Sequence, residues 1–289
     1  MLTPPDSSPL ITAEALQARL GAVRLFDVRF DLARPDAGEA AWCAGHLPGA
    51  HYLHLDRDLS AQGGVPALCG GRHPLPTREV AAATAARLGL TPDTPVVLYD
   101  AQGGMFAARA WWMLRWIGHA DVSVLDGGLD AWRAAGLPVA QGPTPPQPAR
   151  PLPLRPAPVA TVDREALLAN LDGGPRLVLD ARPHERFTGE NDTIEKVVGH
   201  IPGARNRFFR DNLAADGRFK PPAQLHAEFE ALTDRHPVAQ LVMSCGSGVT
   251  ACHNLLALEV AGLQGAALYA GSWSEWSTWP GAPVATGEA

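Results

Sequence analysis

Cysteine is scarce in this chain: four in 289 residues, at Cys43, Cys69, Cys245 and Cys252. None stands in a Cys-x-x-Cys pair or among histidines at zinc-ligand spacing, so neither a disulfide scaffold nor a metal site is expected. A basic excess is missing too. The 24 Lys and Arg face 30 Asp and Glu, for a formal net charge of -6. No global positive field draws in nucleic acid or an anionic membrane, and any anionic substrate must be met locally. No apolar run approaches a membrane span, and the first ten residues, MLTPPDSSPL, hold neither a basic nor an apolar targeting stretch. The expectation is a soluble, cytoplasmic protein without nucleic-acid or membrane partners. Its abundant Ala, Pro and Arg point to a GC-rich bacterial genome.

What the chain does have is one stretch that organises the rest, LVMSCGSGVTACHNLL at 241–256. A short apolar run reads as a strand, a Gly-rich turn opens with Cys245, and Ala251, Leu255 and Leu258 share one face of a following helix. Gly246 and Gly248 let the backbone curl so that successive amides, with those of the helix N-terminus, form an anion cradle. A cysteine there is favoured as thiolate, the nucleophilic form. Cys245 is therefore the predicted nucleophile, with Gly246, Gly248, Val249 and Thr250 lining the cradle and Thr250 expected to cap the helix. Cys252, inside the helix, reads as a small buried hydrophobe.

The length allows two domains. Helices are predicted over 12–20, 77–90 and 106–117, and strands over 23–27, 95–99 and 122–125, with another in AHYLHL after the turn GHLPGA. Residues 141–158, QGPTPPQPARPLPLRPAP, are too proline-rich for helix or central strand and read as an extended linker. Beyond them the landmarks return in order. FDVR is echoed by LDAR, GHLPGA by GHIPGA, VVLYD by LVMSC and LDGGLDAW by YAGSWSEW. A repeat this long is a duplicated domain: a first at 8–140, the linker, and a second at 159–285. Alternating strands and helices make the fold class α/β, with a mostly parallel sheet and helices on both faces in each copy. Ligands of such sheets lie beyond the C-terminal strand ends, where Cys245 falls. The first copy has Asp100 at that position. Asp27 with Arg29, and Asp180 with Arg182, read as structural ion pairs at strand ends, and the tryptophans as core packing.

With two GH[LI]PGA motifs, AWWMLRW, CGSGVT and GSWSEW, the chain resembles the tandem rhodanese-domain sulfurtransferases over nearly its whole length. The resemblance implies that only Cys245 is catalytic. It takes a sulfane sulfur as a persulfide and passes it to cyanide, a thiol or a protein thiol, with no cofactor. The loop CGSGVT is similar to the 3-mercaptopyruvate variant, in which pyruvate leaves as an enolate and needs a proton. Ser247 is placed for that relay, and the resemblance implies that His46 of the first domain meets it, with Asp36 orienting. Arg186, in DARPHERF, matches the family's arginine for the small anionic donor. A second arginine is usual before GHIPGA; here TGENDTIEKVVGH offers only Lys196, the expected substitute.

Three other functions use parts of this pattern. A thiosulfate-specific sulfurtransferase would share the cysteine, but the neutral loop offers a dianion few donors. A non-catalytic persulfide carrier would need Cys245 and neither Arg186 nor His46. A cysteine phosphatase would need an arginine where Ala251 stands.

Overall fold

A computed structural model of the chain describes residues 8–146, 148–150 and 152–288. They form two compact units. The first contains the described residues up to Pro66, with Pro76–Pro158 and Ala215–Phe219; the second contains Ala67–Leu75, Val159–Ala214 and the described residues from Lys220 on. The 67–75 loop, sequence-distant from the second unit, joins it because Gly70 N–H and Arg72 N–H donate to the Glu275 carboxylate and Ser274 Oγ at 2.6 and 3.1 Å. The proline-rich segment has neither helix nor strand among its described residues. It is bonded along the first unit, Ala149 N–H to Ala86 O at 2.8 Å and Arg155 N–H to Ile117 O at 3.3 Å.

The first unit has strands β1 (Leu10–Ile11), β2 (Arg24–Asp27), β3 (His51–Tyr52), β4 (Val96–Tyr99) and β5 (Val122–Leu125), in the order β1-β5-β4-β2-β3. The second has β6 (Ala160–Thr161), β7 (Leu177–Asp180), β8 (Arg205–Asn206), β9 (Leu241–Ser244) and β10 (Ala267–Leu268), in the order β6-β10-β9-β7-β8. These strands pair in parallel throughout, and isolated antiparallel bridges join His46 to Ala140 and His200 to Ala285. The central strands β4 and β9 are buried at all four positions. This is why VVLY and LVMS read as unbroken apolar runs. The core of the first unit gathers Leu16, Tyr99, Leu129 and Trp132; that of the second gathers Leu167, Phe187, Trp273 and Trp276.

Two helices of the first unit start on threonine caps. Thr12 Oγ1 accepts from Ala15 N–H ahead of Ala13–Gln17, and Thr77 Oγ1 from Val80 N–H ahead of Arg78–Arg87. The strand expected across AHYLHL is cut to His51–Tyr52. His54 Nδ1 accepts from the amides of Asp56 and Arg57 at 3.1 and 3.3 Å and starts the helix Leu55–Leu59.

The repeat extends to single hydrogen bonds. Arg29 grips Asp27 and donates to Gly45 O at 2.7 Å; Arg182 grips Asp180 and donates to Gly199 O at 2.7 Å. Trp132 and Trp276 each donate Nε1–H to a proline carbonyl, of Pro138 and Pro283, at 2.8 Å. The Asp-x-Arg motif therefore locks a strand end to the glycine that opens GH[LI]PGA, a structural task in both copies.

Candidate active site

Strand β9 ends on Ser244 and delivers Cys245 into the turn before the helix Thr250–Val260. The turn is braced by the segment after β10. Cys245 N–H donates to Ser272 Oγ at 3.1 Å, while the carbonyls of Cys245 and Gly246 accept from Trp273 N–H and Ser274 N–H at 2.9 Å each. Ser272 holds φ of 53°, costly for a non-glycine residue, and its hydroxyl is anchored on Tyr269 O at 2.8 Å. The GSWSEW motif thus acts as the brace of the cysteine loop. Gly248 has φ of +74°, and a Cβ there would lie 2.3 Å from Ala270 O, so only glycine fits. Val249 takes the N-cap position expected for Thr250, which is instead the first helical residue and makes no side-chain cap. Cys252 is fully buried and points its thiol at Gly248 O, 3.4 Å away.

Cys245 is 2% exposed. Ser247 touches it through the backbone, with its N–H 3.4 Å from Cys245 Sγ. The Ser247 hydroxyl lies 2.7 Å from His73 Nδ1, both side chains buried. One residue therefore joins the sulfur to an imidazole.

Two guanidiniums approach the same turn. A Cβ on Gly246 would be 2.8 Å from Arg72 Nη2 and 3.7 Å from both Nη atoms of Arg186. Arg186 Nε lies 3.1 Å from Asp192 Oδ1, and its buried Nη2 has no hydrogen-bond partner in the structure. Asp192 is fully buried, also faces Arg182 at 3.7 Å, and accepts from the amides of Ile194 and Glu195 at 2.9 and 3.1 Å. Arg72 is paired with Glu195. Burial pushes Arg72 down from its ordinary value, Cys245 pulls it up, and Arg186 pushes it down again. Lys196 is exposed.

The corresponding strand of the first unit ends on an acid instead of the cysteine. Asp100 is buried at the end of β4, its Oδ1 accepting from the amides of Gln102 and Gly104 at 2.9 and 2.8 Å. Its Oδ2 accepts from those of Phe106 and Ala107 at 2.9 and 3.0 Å. Burial pushes its carboxyl above the ordinary value, while the four amides pull it down. This turn converges four amides on one acceptor, and in this copy the acceptor is the turn's own side chain.

Sequence reading and structure diverge at the histidine and the second cation. His46 is fully buried, with Nδ1 2.8 Å from Trp42 O and Nε2 3.4 Å from Thr144 Oγ1. Both ring nitrogens are occupied within the first unit, as His200 Nδ1 is occupied by Phe187 O at 2.8 Å in the second. His46 is a turn stabiliser, and the histidine at Ser247 is His73. Asp36, expected to orient it, is exposed at the N-cap of Ala37–Ala44. Arg72 is the cation at Gly246 that reading along the chain missed. Both His73 and Arg72 sit in CGGRHP, whose loop composition carries no local sign of the contact; arginine beside histidine in a Gly-rich loop is the one available signal.

The two halves, residues 12–135 and 163–278, each match the rhodanese-like domain. A protein described as a probable 3-mercaptopyruvate sulfurtransferase, from Pseudomonas aeruginosa, is 49% identical over 286 residues, which is 98% of this chain and all of that one. The thiosulfate sulfurtransferase of Bos taurus is 36% identical over 80% of this chain and 77% of its own. The solved 3-mercaptopyruvate sulfurtransferase of Leishmania major superposes with a TM-score of 0.83 at 30% identity, over 95% of this chain and 75% of that chain. No helix among the described residues is long and apolar enough to cross a membrane. Sequence, topology and the cysteine turn agree: the chain belongs to the tandem rhodanese-domain sulfurtransferases.

Proposed function

We propose that the chain moves a sulfane sulfur from 3-mercaptopyruvate to a thiophilic acceptor through a persulfide on Cys245. The Cys245 thiolate attacks the donor sulfur, so an S–S bond forms as the donor's C–S bond breaks. The electron pair of that bond leaves on carbon as pyruvate enolate, which takes a proton to become pyruvate. In the second half-reaction cyanide, a small thiol or a protein thiol attacks the outer sulfur, and Cys245 departs as thiolate. Arg186 meets the donor carboxylate with its buried Nη2. The amides of the turn 246–250 stabilise the anionic sulfur, with Ser247 N–H already facing Cys245 Sγ. The reaction belongs in the cytoplasm, where reducing conditions keep thiols available.

The observation that carries this reading is Ser247, whose N–H faces Cys245 Sγ at 3.4 Å and whose hydroxyl faces His73 at 2.7 Å. An enolate leaving group needs a proton at the reacting centre; sulfite, the leaving group from thiosulfate, does not. A Ser–His pair beside the sulfur therefore favours mercaptopyruvate. Thiosulfate is the second reading, supported by the two guanidiniums at Gly246, which suit a dianion.

Intact mass after incubation with each donor, followed by a cyanide chase, tests the reading. Mercaptopyruvate should add one sulfur atom, which cyanide removes as thiocyanate, and Cys245→Ser should abolish the gain while the melting temperature holds. Loading by thiosulfate alone would overturn the donor, and loading of Cys245→Ser would overturn the nucleophile.

A further inference from the structure

The segment between Arg186 and GHIPGA supplies acids where a second cation was expected. Asp192 faces Arg186 and Arg182, Glu195 faces Arg72, and the two acids are held differently. Asp192 has no exposed side-chain surface and accepts from two backbone amides, so it is fixed and fixes Arg186. The Glu195 side chain is 11% exposed, and the charge it meets is that of Arg72. Arg72 is half-buried, comes from the 67–75 loop, and lies with Arg186 over Gly246, one residue from the nucleophile. A guanidinium beside the residue that follows Cys245, with an internal carboxylate already on it, forms a competitive arrangement.

We propose that Arg72 is the second donor-binding cation of this site, and that Glu195 is a place-holding carboxylate which the donor's carboxylate must displace. The inference rests on the reading that the donor is a small carboxylate. Asp192 keeps Arg186 aimed in both states, whereas Arg72 changes partner. In the unliganded site the charges of Arg72 and Glu195 cancel, which lowers the cost of holding a half-buried guanidinium beside Arg186. When the donor binds, Glu195 turns outward to water and the donor carboxylate takes over the pair. The absence of a side chain at Gly246 is what lets Arg72 reach in: a methyl group there would fall within 2.8 Å of Nη2.

Substitutions on the two sides should act in opposite directions. Arg72→Gln should raise the KM for mercaptopyruvate about 10- to 100-fold, the range for losing one charge-assisted hydrogen bond, with kcat changed by less than about threefold. Glu195→Gln should lower KM by about three- to tenfold, because the competitor has lost its charge. The double variant should behave as Arg72→Gln alone, since Glu195 then has no cation to occupy. Gly246→Ala should raise KM in the same sense as Arg72→Gln by pushing the guanidinium aside. Inhibition by pyruvate should move in parallel and gives the same readout without turnover. Melting temperatures and persulfide loading at saturating donor establish that each variant is folded and competent. An unchanged KM in Arg72→Gln, or a KM that rises in Glu195→Gln, overturns the place-holder. Wild-type protein that takes no sulfur from mercaptopyruvate overturns the donor reading, and this inference with it.

Discussion

On the proposed mechanism, replacing His73 by glutamine separates proton transfer from everything else the site does. Glutamine is close to isosteric and can keep a hydrogen bond to the Ser247 hydroxyl, 2.7 Å from the imidazole in the native protein. What it cannot do is exchange a proton near neutral pH. General acid–base participation is worth about 100- to 10,000-fold. With Ser247 and the turn intact, the lower half of that range applies: a fall in kcat of about 100- to 1,000-fold, or about 3 to 4 kcal/mol of barrier. The loss should fall only on the half-reaction that makes pyruvate. With thiosulfate the leaving sulfite needs no proton at carbon, so the same variant should load Cys245 within about threefold of the native rate. Rapid-quench measurement of pyruvate formation in a single turnover, beside persulfide formation from thiosulfate, reads both. Equal losses with the two donors would make His73 a support for the turn; no loss with either would remove it from the reaction.

Two predictions concern stability. Asp100→Ala removes the acceptor of four buried amides in the first unit and should cost about 3 to 5 kcal/mol by urea unfolding, while cyanide-dependent turnover at low temperature stays near native; a cost below about 1 kcal/mol would mean that the turn needs no anion. Burial pushes Glu228 up, yet hydrogen bonds from Arg207, Lys220 and Gln224 outweigh it and bring its carboxyl down to about 2. A carboxyl lowered on folding stabilises above its ordinary pKa of 4.5 and loses that contribution as pH falls toward 2. After allowance for its partial exposure, Glu228→Gln should cost about 1 to 2 kcal/mol at pH 7, a gap that closes on acidification. A gap of equal size near pH 2 would show that the cost is not ionic.

Most of the architecture was legible in the sequence because short-range patterns encode it. Short apolar runs bounded by turn signals read as strands buried on both faces, and Asp-x-Arg closes its own ion pair two residues apart. The repeat then doubles each signal. The turn that holds Cys245 was legible for the same reason: the proposed nucleophile, its glycines and its helix are contiguous, so their geometry follows from local backbone rules.

Tertiary structure decided what the cysteine faces. His73 reaches Ser247 across 174 residues of chain, and Arg72 reaches the same turn from the same loop. No periodicity or cap marks such a pairing; it exists because the 67–75 loop is bonded to the segment after β10. His46, which carries the stronger motif, is tied down by Trp42 O and Thr144 through the packing of its own turn. Local sequence therefore determined the strands, the turns and the place of Cys245. Contacts between residues far apart in the chain selected the histidine at Ser247 and the guanidiniums at Gly246, because those depend on where loops are brought to rest and not on their composition.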